Sequence, residues 1–175
     1  MDKLSNPLIW LKRFRHRFGY GVHSPFAFRF ITEVIYERSA YYAYSELDAT
    51  LTFGQRWRIR RLLHLLLRLS NRVQPSQIVL PTPCSQAARY LQAGCKQAVI
   101  GEHTTGLEPA LYYLNEPADG IVSHLKADSV LVIDHLKAHR KWFENLPYTV
   151  AFDLYDLGIA FFDPKSNRQY YIVHF

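Results

Sequence analysis

The pair Asp134-His135 is the first place in this sequence where residue types and spacing suggest chemistry. It closes Ser129-Val130-Leu131-Val132-Ile133-Asp134, a run of buried-strand type. Open α/β sheets bind their ligands beyond the carboxyl ends of such strands, so Asp134 there could act as a general base, or with His135 ligate a metal. His139 follows four residues later, close enough to share a helix face. Two histidines and one carboxylate lack a further fixed ligand, so no metal site is assigned. The alternative is that Asp134 caps the following helix and both histidines face solvent. Cys84 falls near an expected helix N-terminus, where a thiol pKa drops and the sulfur becomes nucleophilic; it equally suits a small core position. His23, in Gly21-Val22-His23-Ser24-Pro25-Phe26, either builds a turn or contacts a substrate. Arg13, Arg15, Arg17, Arg58, Arg60, Arg61 and Arg68 could contact phosphates, with Trp10 or Phe14 stacking on bases.

Positioning such groups requires strands with helices between them, and the hydrophobic pattern supplies both. From Leu4 to Phe18 aromatic and basic residues alternate as in a short amphipathic helix, which Gly19 and Gly21 end. Ser24 reads as an N-cap with Pro25 at the first helical position, and Phe26, Phe30, Val34 and Ile35 predict a second helix to about Arg38. Between Phe53 and Asn71, Ile59, Leu62, Leu63, Leu65, Leu66 and Leu69 form one helical arc opposed by Arg60, Arg61, His64, Arg68 and Asn71. Pro75 breaks this pattern, and Gln77-Ile78-Val79-Leu80 reads as a central parallel strand. Thr82 to Ala93 predicts a helix with Thr82 as N-cap and Pro83 at N1, closed by Gly94. Ala98-Val99-Ile100 is a second strand, Leu107 to Asn115 a helix, and Ser129–Asp134 a third strand, followed by a helix around His139 to Asn145. Tyr148–Leu154, Gly158–Phe162 and Gln169–Phe175 are three β-rich runs, the last two parted by the turn Asp163–Asn167. The fold class expected is therefore α/β: a Rossmann-like mixed sheet, mostly parallel with antiparallel C-terminal strands, preceded by an N-terminal helical segment.

A chain of 175 residues with 49% apolar content is the size of one domain, so residues 1–72 are expected to pack as a helical segment on the core of residues 73–175. No apolar run is long enough to span a membrane, and the start lacks the apolar stretch of a secretion signal, which predicts a cytoplasmic protein. Cys84 and Cys95 form neither a CxxC pair nor a zinc quartet, so thiols in a reducing compartment are expected and a disulfide scaffold is excluded. The net charge of +6 is uneven: residues 1–72 carry 13 Lys and Arg against 5 Asp and Glu. Such asymmetry marks binding to nucleic acid or anionic lipid, or simply a solvated helical face.

Three segments together resemble bacterial class I SAM-dependent methyltransferase-like proteins: Gly21–Phe26, Val130-Leu131-Val132-Ile133-Asp134-His135, and Phe152–Phe162 continuing through Val173-His174-Phe175. The resemblance implies that residues 73–175 are a shortened Rossmann-like methyltransferase fold, lacking connecting helices or a strand between Glu102 and Asp134. It implies SAM as cofactor, held by the turn Leu80, Pro81, Thr82 and Ser85, with Glu102 on the ribose hydroxyls and Asp134 and His135 near the reacting centre. Val79 stands where the family has an acid, and Pro81 and Ser85 where it has glycines. Two prolines make a stiff turn with fewer N–H donors, which predicts a small or blocked cofactor pocket.

Three functions follow as alternatives. The first is a divergent methyltransferase-like protein acting on an unidentified acceptor, with or without activity. The second is a non-catalytic interaction module, a homodimer or a protein's partner, for which aromatic residues at 15% of the chain supply contacts and Trp10, Phe14 and Phe18 a possible interface. The third is a basic nucleic-acid-binding protein.

Overall fold

The computed structural model describes residues 22–83, 85–163 and 167–175. The expected helix at Leu4–Phe18, and Cys84, lie outside these residues. Helix α1 (Pro25–Phe30) runs into a π-helical turn, Ile31–Ile35, and the Ser24 hydroxyl accepts from Ala27 N–H as the sequence predicts. The helix stops short of Arg38 because Tyr36 leaves the helical region. Helix α2 (Tyr42–Ala49), which no sequence pattern announced, follows.

The long helix expected over Phe53–Asn71 is two: α3 (Phe53–Arg58) and α4 (Arg60–Val73), bent at Ile59 with φ −119°. The apolar arc begins at Ile59 itself, and no Pro or Gly stands at the bend to mark it. Its meaning is spatial, since α4 buries Leu63, Leu65, Leu66, Leu67 and Leu69 while no residue of α3 is buried.

Seven strands form one sheet: β1 (Gln77–Val79), β2 (Val99–Gly101), β3 (Ala110–Leu114), β4 (Val130–Asp134), β5 (Val150–Asp153), β6 (Leu157–Phe161) and β7 (Gln169–Ile172). Their order is β2-β1-β3-β4-β6-β5-β7. Strands β1 to β4 are parallel, β6 is antiparallel to both its neighbours, and β7 joins parallel to β5. The fold is thus the expected mixed α/β sheet with N-terminal helices. Helix α5 (Gln86–Gly94) follows β1, the short α6 (Asp119–Val122) precedes β4, and α7 (Leu136–Asn145) follows it.

Strand β3 corrects one expectation: Leu107–Asn115 is not a helix. Ala110-Leu111-Tyr112-Tyr113-Leu114 is buried along its whole length between β1 and β4. A strand covered on both faces is apolar throughout, so its sequence shows no alternation and resembles a buried helix. Leu111 and Tyr113 face the layer of α1, α4 and α5, whereas Ala110, Tyr112 and Leu114 face α6 and α7. Two glycines permit the closest contacts. A Cβ on Gly94 of α5 would lie 2.8 Å from Ser70 Cβ and 2.9 Å from Asn71 N of α4, and one on Gly158 of β6 would lie 2.9 Å from the Phe143 ring of α7.

No helix intervenes between β2 and β3. Instead residues 102–109 cross β1 as a loop tied to the buried Gln77 amide. That amide donates to Thr104 Oγ1 (3.1 Å) and Leu107 O (2.6 Å), and accepts from Thr105 N–H (2.8 Å) and Thr105 Oγ1 (2.9 Å). One side chain thus replaces a connecting helix. Among the described residues no helix is long and apolar enough to cross a membrane.

Candidate functional site

Because β1 to β4 are parallel, Val79, Gly101, Leu114 and Asp134 end on one edge of the sheet. The chain moves from β1 to β2 on one side and returns to β3 on the other, so the strand order reverses beside β1, where open α/β sheets place ligands. Leu80, Pro81, Thr82, Ser85, Glu102, Asp134 and His135 all belong to this edge. They do not form one cluster: Glu102 follows β2 and Asp134 ends β4, three strand spacings or roughly 14 Å apart.

The turn from β1 to α5 has little left to offer a ligand. Val79 and Leu80 are buried on opposite faces of the sheet, in the two core layers. Leu80 N–H donates to Gly101 O (3.0 Å), Ser85 N–H donates to Thr82 O (3.0 Å), and Pro81 and Pro83 have no N–H. Helix α5 starts at Gln86 rather than after Thr82, with Ser85 as its N-cap, and the Ser85 hydroxyl accepts from Ala88 N–H (3.2 Å). The expected Thr82 cap is thus corrected to Ser85, because residues 82–85 form a turn before the helix starts. Glu102 is exposed.

Asp134 is half-buried, and both its oxygens are engaged: Oδ2 accepts from the Tyr113 hydroxyl (3.1 Å) and Oδ1 from His135 N–H (2.7 Å). Burial, reinforced by the Asp134 charge, pushes the Tyr113 hydroxyl well above its ordinary pKa, so Tyr113 remains a neutral donor. The cap position of α7 is His135, not Asp134; it adopts φ 54°, and the Leu136 N–H beyond it donates to Asp156 O (2.9 Å). The exposed His135 ring keeps Nδ1 3.8 Å from Asp134 Oδ2. Asp156 Oδ1 is buried with no hydrogen-bond partner. Sequence reading missed Tyr113 because a helix over Leu107–Asn115 would have turned it away from Asp134.

The remaining candidates lie apart. His23 is exposed before α1, His139 sits one turn into α7, and the buried Cys95 thiol donates to Pro75 O (3.5 Å). Arg58, Arg60 and Arg61 are exposed, whereas Arg68 is buried; Trp10, Phe14, Arg13, Arg15 and Arg17 lie outside the described residues. Among the described residues no three His, Cys, Asp or Glu side chains converge as metal ligands.

A polar cluster the sequence did not single out joins α2, α4 and α5. Asp48 accepts from the Tyr90 hydroxyl (2.6 Å) and lies 2.9 Å from His64 Nε2, while the Tyr44 ring stacks on His64 at 3.7 Å. Burial disfavours the Asp48 anion, but the hydrogen bonds from Tyr90 and His64 outweigh it and hold the carboxyl below its ordinary pKa. Compared with known proteins, the chain matches no protein family, no curated protein and no solved structure.

Proposed function

We propose that this protein is a non-catalytic interaction module built on a shortened methyltransferase-like fold. The observation that carries this reading is the β1–α5 turn. Glycine-rich cofactor turns work by presenting free N–H groups and open backbone to the ligand. Here two of those groups are replaced by proline, two are bonded within the fold, and the side chains on either side of the turn are core. Glu102 alone retains a chemistry suited to ribose, and it is too far from Asp134 to build one compact centre.

An interaction role is supported by α3. Its Phe53 and Trp57 lie one turn apart and are 88% and 78% exposed, on a six-residue helix that buries nothing of its own. So short a helix gains little from propensity, and two large exposed aromatics are characteristic of contact surfaces. We take the partner to be a second copy of the chain.

A second reading, an enzyme using the Asp134–His135 edge, is favoured by the unpartnered Asp156 Oδ1 and the left-handed backbone of His135 beside it. Melting curves with S-adenosylhomocysteine separate the two. The module reading predicts no rise in Tm at millimolar ligand, and only a few tenths of a kcal/mol of change for Glu102→Ala. A rise in Tm that Glu102→Ala abolishes would establish the enzyme reading instead.

A further inference from the structure

On the helical side of the molecule a cavity of about 490 Å³ is lined by Ile35, Tyr36, Glu37, Arg38, Arg60, Arg61, His64 and Arg68. The guanidinium groups of Arg38, Arg60 and Arg68 line it beside the Glu37 carboxylate, with Asp48 behind His64. Arg60, His64 and Arg68 recur every four residues and form one stripe along α4, while Arg38 belongs to the segment leaving α1. Glu37 is not free to neutralise them all. Its Oε1 accepts from Ser39 N–H (2.6 Å) and Arg38 N–H (2.7 Å), and the Ser39 hydrogen bonds hold the carboxyl below its ordinary pKa.

Arg68 decides the chemistry. Its side chain is almost wholly buried, yet its hydrogen bonds run only to neutral oxygens: Val34 O (2.7 Å), Ile35 O (3.2 Å) and Tyr44 Oη (3.3 Å). Those bonds use three of its five donors, fixing the guanidinium plane and leaving two. A buried cation without a bonded carboxylate is unfavourable unless an anion arrives to pair with it. Arg61 is steadied by the Phe175 ring 4.3 Å below it. His64 is held by Asp48 at 2.9 Å, so the ring is oriented before any ligand binds.

We propose that this cavity binds a phosphorylated small molecule of about mononucleotide size, with its phosphate on Arg68 and Arg60. Planar guanidinium forks match phosphate oxygens two at a time. The volume falls within the ordinary range of small-molecule sites and exceeds what inorganic phosphate fills. The proposal is independent of the state of the β1–α5 turn.

Isothermal titration with AMP, inorganic pyrophosphate, adenosine and a single-stranded oligonucleotide tests it on the full chain. AMP and pyrophosphate should bind at one site and compete with each other, adenosine should not bind, and added salt should weaken binding. Arg60→Ala, at an exposed position, should weaken AMP about tenfold or more, the loss of one charge-assisted contact. Arg68→Lys should also weaken AMP, because a point charge replaces the fork. Binding of the oligonucleotide without AMP would overturn the proposal in favour of nucleic acid. So would AMP binding unaffected by Arg60→Ala, or no binding of either phosphate.

Discussion

Replacing Gln77 with Leu isolates the device that lets β2 pass to β3 without a helix. Leucine keeps the volume and removes all four hydrogen bonds that hold Thr104, Thr105 and Leu107. At a net value of about 1 kcal/mol per bond, the loss is about 4 kcal/mol. Thr105 and Leu107 are exposed, so water recovers part of this once the loop lifts, and the expected cost is about 2–4 kcal/mol. For a chain of this size that corresponds to a fall in Tm of roughly 4–16 °C. Urea unfolding should show a lower midpoint with an unchanged slope, and amide exchange should accelerate at Thr105, whose N–H loses its acceptor. Gln77→Glu should keep the Thr105 contacts, lose the one to Leu107 O, and remain destabilised. A loss below about 1 kcal/mol, or unchanged exchange at Thr105, would refute the clamp.

Two further outcomes follow from the same geometry. Asp48→Ala should cost about 2–3 kcal/mol at pH 7, because the buried Tyr90 hydroxyl loses its acceptor; since the Asp48 carboxyl is depressed in the folded state, its contribution is complete above the unfolded value of about 4 and lost as pH falls through the folded one. The gap between wild type and Asp48→Ala in urea should therefore narrow by pH 3, and a constant gap would contradict the assignment. Light scattering should find a concentration-dependent dimer that Phe53→Ser with Trp57→Ser returns to monomer; a monomer at every concentration in the unmodified chain would remove the second-copy partner.

The sequence made the sheet legible wherever punctuation and pattern agreed. Ser24-Pro25 marked the start of α1, Val130–Asp134 announced β4, and the turn after Phe162 separated the last two strands. It failed where only tertiary contact decides. Ala110–Leu114 is apolar at every position because both faces are covered, so it carried no period of two, and losing β3 also hid the Tyr113–Asp134 contact. The bend at Ile59 carries no Pro or Gly, and only docking shows that α4 goes in while α3 stays out. Arg68 read as part of a solvated arc, yet it is buried against two carbonyls of the π-helical turn after α1, a long-range contact with no local signal. The candidate edge was legible as positions, with Pro81 and Pro83 plain in the sequence. That Leu80 and Ser85 bond elsewhere required the fold.

The most direct measurement is calorimetric titration of the unmodified chain with S-adenosylhomocysteine and with SAM up to millimolar concentration. With the Leu80 and Ser85 N–H groups bonded internally and prolines at 81 and 83, neither ligand should give heat beyond dilution. Saturable binding of either one, with a stoichiometry near one per chain, would show that the turn holds the cofactor and would contradict the account.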